Sequence, residues 1–181
     1  MAERVLLHVC CAPCMLYPLR VLQREGKEVF AFWYNPNIHP YTEYQKRRDQ
    51  VRSLTGELGV RLIERDEYPL EEFLQTIAFR EGKRCFLCHQ LRLTATAQVA
   101  RKGKFNLFTT TLLYSKFQPH LVIKDLGEGL ARRYGPRFLY RDFREGWKEG
   151  IEESRDRELY RQQYCGCIYS EYERYGRQRD E

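Results

Sequence analysis

The sequence predicts an α/β fold in which a parallel sheet carries helices on both faces. Three observations predict it. Short apolar, β-branched or aromatic runs alternate with longer helical patterns from one end of the chain to the other. Gly, Pro and Asn punctuate the boundaries between them. No internal repeat, low-complexity tract or linker divides the 181 residues, so residues 1–181 are expected to form a single domain. In such folds ligands gather at the carboxyl ends of the strands.

Taken in order, Arg4–Val9 reads as a first strand that ends in Cys10-Cys11-Ala12-Pro13-Cys14, and Met15–Glu25 as a helix stopped near Gly26. Val29–Tyr34 is a second strand, closed by the turn signal Asn35-Pro36-Asn37. Tyr41–Leu58 is a charged helix ended by Gly59, and Val60–Glu64 alternates as a third strand. Pro69 opens a helix that runs to Phe79, and Cys85 opens another that runs to about Arg101. Phe105–Leu112 is predicted to be a strand, Gln118–Tyr134 a helix broken by Gly135-Pro136, and Phe138–Phe143 a further strand. A charged helix is expected over Glu149–Tyr160, followed by a cysteine-bearing helical segment at the C-terminal end.

Hydrophobic residues make up 43% of the chain and charged residues 31%, which excludes disordered and fibrous classes. No segment approaches the ~20 apolar residues of a membrane span. Glu3 and Arg4 followed by a short apolar run do not make a secretory signal, so a cytoplasmic protein with no membrane partner is expected. The net charge of +6 favours a polyanionic partner without requiring one.

Seven cysteines in such a chain cannot be a disulfide framework, because the cytoplasm keeps thiols reduced and the number is odd. Every one belongs to a group: Cys10, Cys11 and Cys14; Cys85 and Cys88; Cys165 and Cys167. Scattered small hydrophobes would not cluster this way. Cys14 and Cys85 each stand at a helix start, where the dipole favours a thiolate, and Gly166 lets the backbone approach a bulky ligand. Tetrahedral zinc and [4Fe-4S] both take four thiolates, so seven exceed one site: two metal centres share them, or some stay free for chemistry.

Structural zinc is one alternative, but its paired knuckles usually sit close together in a small domain without another core. Here the groups span more than 150 residues, from Cys10 to Cys167, which favours redox iron over zinc. A thiol-disulfide oxidoreductase is a third reading, because Cys11-Ala12-Pro13-Cys14 follows a strand and opens a helix. That reading leaves five cysteines unexplained. ATP use is not expected, since cysteines and a proline occupy the place of a Ser- and Gly-rich phosphate loop.

His8-x-Cys10-Cys11-Ala12-Pro13-Cys14, Tyr34-Asn35-Pro36-Asn37-Ile38, Arg84-Cys85-x-x-Cys88, Thr110-Thr111-Leu112, Asp142-Phe143-Arg144 and Tyr160-Arg161-Gln162-x-Tyr164-Cys165-Gly166-Cys167 carry a resemblance over nearly the whole chain. Together they resemble the QueH-type epoxyqueuosine reductases. The resemblance implies a three-layer, nucleotide-hydrolase-like (HUP or Rossmann-like) α/β fold. It implies a cobalamin-independent reduction of the epoxide of epoxyqueuosine, at the tRNA wobble position, to the alkene of queuosine. It also implies a [4Fe-4S] cluster beside a second, mononuclear metal, expected to be iron, with tRNA carrying epoxyqueuosine and an external electron donor as partners.

Such an epoxide reduction takes two electrons and two protons and loses oxygen as water, which suits a one-electron cluster beside a Lewis-acid metal. The expected ligands are Cys10, Cys11, Cys14, Cys85, Cys88, Cys165 and Cys167, with Asp142 as an oxygen donor; spacing does not divide them between the two centres. Cys11, Cys14 and Asp142 are expected at the chemistry, although Asp142 equally suits a salt bridge to Arg144 or a helix cap. His8, inside a strand, reads as a core histidine and His89 as a solvated one. Tyr34 and Asn35, just past a strand end, are expected to bind substrate. Trp33, Tyr34, Tyr41, Arg47, Arg48 and the tail from Tyr164 to Arg179 could stack bases and meet phosphates, or simply be core and solvated helix.

Overall fold

A computed structural model describes residues 2–176 of the chain. Its five strands form one parallel sheet in the order β3-β2-β1-β4-β5. The strands are β1 (Arg4–His8), β2 (Glu28–Trp33), β3 (Leu62–Glu64), β4 (Leu107–Thr110) and β5 (Arg137–Phe138). Because both faces of a parallel sheet are covered, its central strands read as continuous apolar runs rather than alternating ones. Val5, Leu6 and Leu7 of β1 and Ala31, Phe32 and Trp33 of β2 are accordingly buried. Leu6 pairs with Phe30 on one side and Phe108 on the other, and His8 with Phe32 and Thr110.

Right-handed crossovers divide the helices between the two faces. On one face α1 (Ala12–Arg24) packs against α2 (Tyr41–Glu57) and α6 (Trp147–Asp156). On the other, α4 (Arg84–Lys102) packs against α5 (His120–Tyr134), while α3 (Leu70–Ile77) leans on α4 and α7 (Ile168–Tyr175) follows the last cysteines. Gly127 lets α5 lie directly on the Phe138 ring, where a Cβ would come within 2.4 Å of a ring carbon. The strand order turns back between β1 and β4, and that switch point is where an open α/β sheet leaves a crevice at its carboxyl edge.

The structure corrects three element boundaries that bear on the site. The strand expected over Phe105–Leu112 stops at Thr110, whose hydroxyl oxygen accepts the Leu112 N–H at 3.1 Å and turns the chain into a 3₁₀ helix over Thr111–Tyr114. With β4 gone, the strand expected over Phe138–Phe143 loses its partner. Its last ladder bond runs from Leu139 N–H to the Phe108 carbonyl, so Asp142 lies in a loop and does not end a strand. The helix expected over Glu149–Tyr160 starts at Trp147 and ends at Asp156, because Glu158 takes a left-handed φ of +51°. Tyr160 is thereby freed to reach α2.

Candidate metal centre

Cys10, Cys11 and Cys14 meet at the switch point, their sulfurs all within 4.8 Å of one another. The chain leaves β1 at His8, Cys11 becomes the N-cap of α1, and Cys14 falls in its first turn, where Pro13 needs no N–H partner. Cys10 Sγ lies 3.8 Å from Cys11 Sγ. Thr111, released from the sheet, accepts the Cys10 N–H at 3.1 Å and donates its hydroxyl to Cys10 Sγ at 3.2 Å. The Gln162 amide donates to Cys11 Sγ at 3.1 Å and approaches Cys14 Sγ at 3.7 Å.

Beneath these sulfurs, the Nε2 of His8 donates to the Tyr34 carbonyl at 3.2 Å, so its Nδ1 accepts from the Thr110 hydroxyl at 2.9 Å. Burial holds His8 down to about 4, and it stands neutral under the site. Hydrogen bonds from Cys11 and Cys14, joined by Thr111, hold Cys10 well below the usual thiol range. Burial pushes Cys11 up, and the bond to the Cys10 sulfur does the same to Cys14. Three soft donors crowded this closely form a set that one thiophilic ion can satisfy.

The other four cysteines, Cys85, Cys88, Cys165 and Cys167, line one cavity of about 180 Å³. Cys85 and Cys88 come from the first two turns of α4 and Cys165 and Cys167 from the loop before α7. Burial raises Cys85 and pushes Cys88 up to about 12. A second cavity of about 330 Å³, lined by Cys10, Cys14, Tyr114, Trp147, Arg161 and Gln162 among others, adjoins the first. Arg92, Phe117, Gln118 and Cys165 line both cavities.

The C-terminal loop reaches α4 because Arg47 of α2 holds it. Buried in the protein, its guanidinium donates to the Cys165 carbonyl at 3.0 Å and the Tyr164 carbonyl at 3.1 Å, and pairs with Glu43 at 2.6 Å. Tyr160 donates to the same Glu43 carboxylate at 2.7 Å, and the His39 N–H to the Gly166 carbonyl at 2.7 Å. Gly166 has a φ of +147°, and a Cβ there would stand 3.2 Å from Asn37 Nδ2 and 3.3 Å from Ile38. The close approach expected of this glycine is therefore made to the protein's own chain.

All seven cysteines thus fall into two neighbouring groups, while Asp142, Tyr34 and Asn35 line neither of the two cavities. Asp142 lines neither cavity: its carboxylate accepts the Arg144 N–H at 3.0 Å and the guanidinium Nε at 2.8 Å, which pulls it down to about 2. Tyr34 is buried under the Arg65 guanidinium, and Asn35 donates to the Val9 carbonyl at 2.9 Å. Neither lines either of these two cavities. Trp33 is fully buried, Arg47 is committed to the loop, and Arg48 pairs with Asp66, which leaves Tyr41 as the exposed member of that set. Of the tail from Tyr164 to Arg179, residues 177–179 lie outside the described residues. His89 is not solvated: buried, it binds Gln118 Oε1 at 2.8 Å, and the Gln118 amide in turn lies 3.5 Å from Cys165 Sγ.

Arg92, Gln118 and the anchoring role of Arg47 had no signal in the sequence, because each rests on contacts between distant segments. Gln162 and Thr111 did, as members of the Tyr-Arg-Gln and Thr-Thr-Leu motifs, but without a role.

Comparison with known proteins gives the site its context. A solved structure described as a predicted subunit of a tRNA methyltransferase from Methanocaldococcus jannaschii is similar with a TM-score of 0.57 and 13% identity, covering 84% of this chain and 74% of that one, a likeness of fold alone. The epoxyqueuosine reductase QueH of Dehalococcoides mccartyi is 40% identical over 177 residues, spanning 98% of this chain and 97% of the relative. That of Thermotoga maritima is 37% identical over 94% of this chain and 91% of the relative. Residues 5–173 match the family described as epoxyqueuosine reductase QueH, and the chain belongs to that family.

Proposed function

We propose that this chain reduces the epoxide of epoxyqueuosine in tRNA to the alkene of queuosine, with iron held at its two cysteine groups. The change takes up two electrons and two protons, the electrons from an external donor, and releases the epoxide oxygen as water. One observation carries the reading: in a member of this family, three sulfurs gather within 4.8 Å at the switch point, beside a cavity that adjoins the one lined by the other four.

Cys85, Cys88, Cys165 and Cys167 then hold a [4Fe-4S] cluster, which takes four thiolates, and Cys10, Cys11 and Cys14 a single ion with a position open to the cavity. When bound, the two would supply single electrons and a Lewis acid for the epoxide oxygen. The chain's own residues bind and orient. Tyr114 and Trp147, with ring centroids 5.1 Å apart, offer an aromatic wall for an unstacked base, and a cavity of about 330 Å³ can bury the modified ring. Arg161 brings positive charge to the lining, and Leu112 and Ile151 help exclude water.

Burial of Cys11 and Cys14 argues against a dithiol exchanging with protein substrates, which needs an accessible sulfur. The test is to incubate anaerobically purified, iron-loaded protein with epoxyqueuosine-containing tRNA and a strong reductant and to analyse the released nucleosides. Conversion to queuosine is expected; its absence overturns the reading. Metal analysis that finds zinc alone in the active protein overturns the iron assignment.

A further inference from the structure

Arg92 lies in α4 with 2% of its surface exposed. Its Nε reaches the Cys88 carbonyl, one turn back, at 3.4 Å, while its Nη2 has no hydrogen-bond partner. No carboxylate pairs with it among the described residues. A buried guanidinium without a counter-charge is one of the costliest groups a fold can hold. Arg47, equally buried, has Glu43 and two carbonyls around it, so the fold does supply partners elsewhere.

Cysteines from both groups share the cavities of Arg92. It lines both cavities, and where burial opposes its charge, Cys88, Cys165 and Cys10 favour it. Those three are drawn from both groups. Three thiolates around one divalent ion carry one net negative charge, and four carry two. Without metal, Arg92 has no carboxylate to pair with among the described residues and its Nη2 stays unpartnered.

We propose that Arg92 is the counter-cation shared by both sulfur centres, a positioning residue that favours metal at each without ligating either. The inference rests on the metal-binding reading above. It requires that Arg92 weaken the metal-free fold and strengthen the metal-bound one, opposite signs that an ordinary structural arginine would not give.

The test uses reduced, metal-free full-length protein titrated anaerobically with Co²⁺, followed by thiolate charge-transfer absorption, with denaturant midpoints measured on the metal-free samples. In Arg92→Met the midpoint should rise and Co²⁺ binding should weaken by about tenfold or more. Arg92→Lys, which keeps the charge, should hold affinity within a few-fold of wild type. If Arg92→Met does not fold, Arg92→Gln carries the same comparison. A lowered midpoint with unchanged affinity would make Arg92 merely structural and overturn the proposal, as would equal weakening in the Lys and Met variants. Wild-type protein that takes up no Co²⁺ defeats the metal reading itself, whereas normal wild-type binding with undiminished Arg92→Met affinity defeats only the role of Arg92.

Discussion

Cys10, Cys11 and Cys14 come from one short stretch at the end of β1 and the start of α1, and their sulfurs converge because a strand end and a first helical turn bring them together. Cys85 and Cys88 meet Cys165 and Cys167 only because α2 holds the C-terminal loop against α4. The first group is thus locally preorganised over the sheet, while the second is assembled by docking of a segment that keeps Cys85 and Cys165 exposed. Segments that carry few buried apolar contacts and open locally are drawn from the low-stability end of a fold. The two centres should therefore differ in what releases them.

The largest effect is expected from Arg47→Met, which removes the clamp and leaves Glu43 as a buried carboxylate without its cation, at a cost of about 3–5 kcal/mol. Limited proteolysis should then cut within the C-terminal loop, and metal should be lost from the four-cysteine group before the three-cysteine one. Simultaneous loss from both would break the comparison.

Acid should treat both regions alike. Burial holds His8, under the first group, and His89 and His39, beside the second, to about 4. A histidine whose pKa is depressed in the folded chain takes up its proton more readily when unfolded, so stability is fully present above the unfolded value near 6.5 and is lost as pH falls toward about 4. For fully buried His8 this is on the order of 3 kcal/mol. Denaturant midpoints measured down this range should fall, and in His8→Gln the fall should be smaller.

Gly166→Ala sharpens the contrast without removing a charge. A left-handed φ and a Cβ against Asn37 and Ile38 should cost about 1–3 kcal/mol and loosen the C-terminal loop alone, seen as faster alkylation of Cys165 with Cys10 unchanged. The smallest effect is expected from Asp142→Asn. The ion pair with Arg144 is about two-fifths exposed and should contribute under about 1 kcal/mol. Metal content should stay at the wild-type level in that variant, and a loss would restore Asp142 as an oxygen ligand.

The apolar runs at Val5–Leu7 and Phe30–Trp33 made the parallel sheet legible, because strands buried on both faces are apolar at successive positions. Helix identities were equally legible. Strand ends were not: β4 stops where the Thr110 hydroxyl captures Leu112 N–H, and β5 stops because β4 has left it. The expected strand over Phe138–Phe143 carried Asp142 to the sheet edge, whereas Tyr34 and Asn35 do follow the end of β2, and a position after a strand does not tell which side chains line the crevice.

By itself the sequence determined the fold class, the motifs that place the chain in its family, and the fact that every cysteine belongs to a group. Those features depend on residue type and local spacing. The tertiary structure alone decided that the three short groups become two, because Cys85, Cys88, Cys165 and Cys167 share a cavity only once Arg47 and Gly166 bring the C-terminal loop across the sheet edge. It alone placed Arg92 between those groups, since the charge balance of a buried site depends on contacts among segments far apart in the chain.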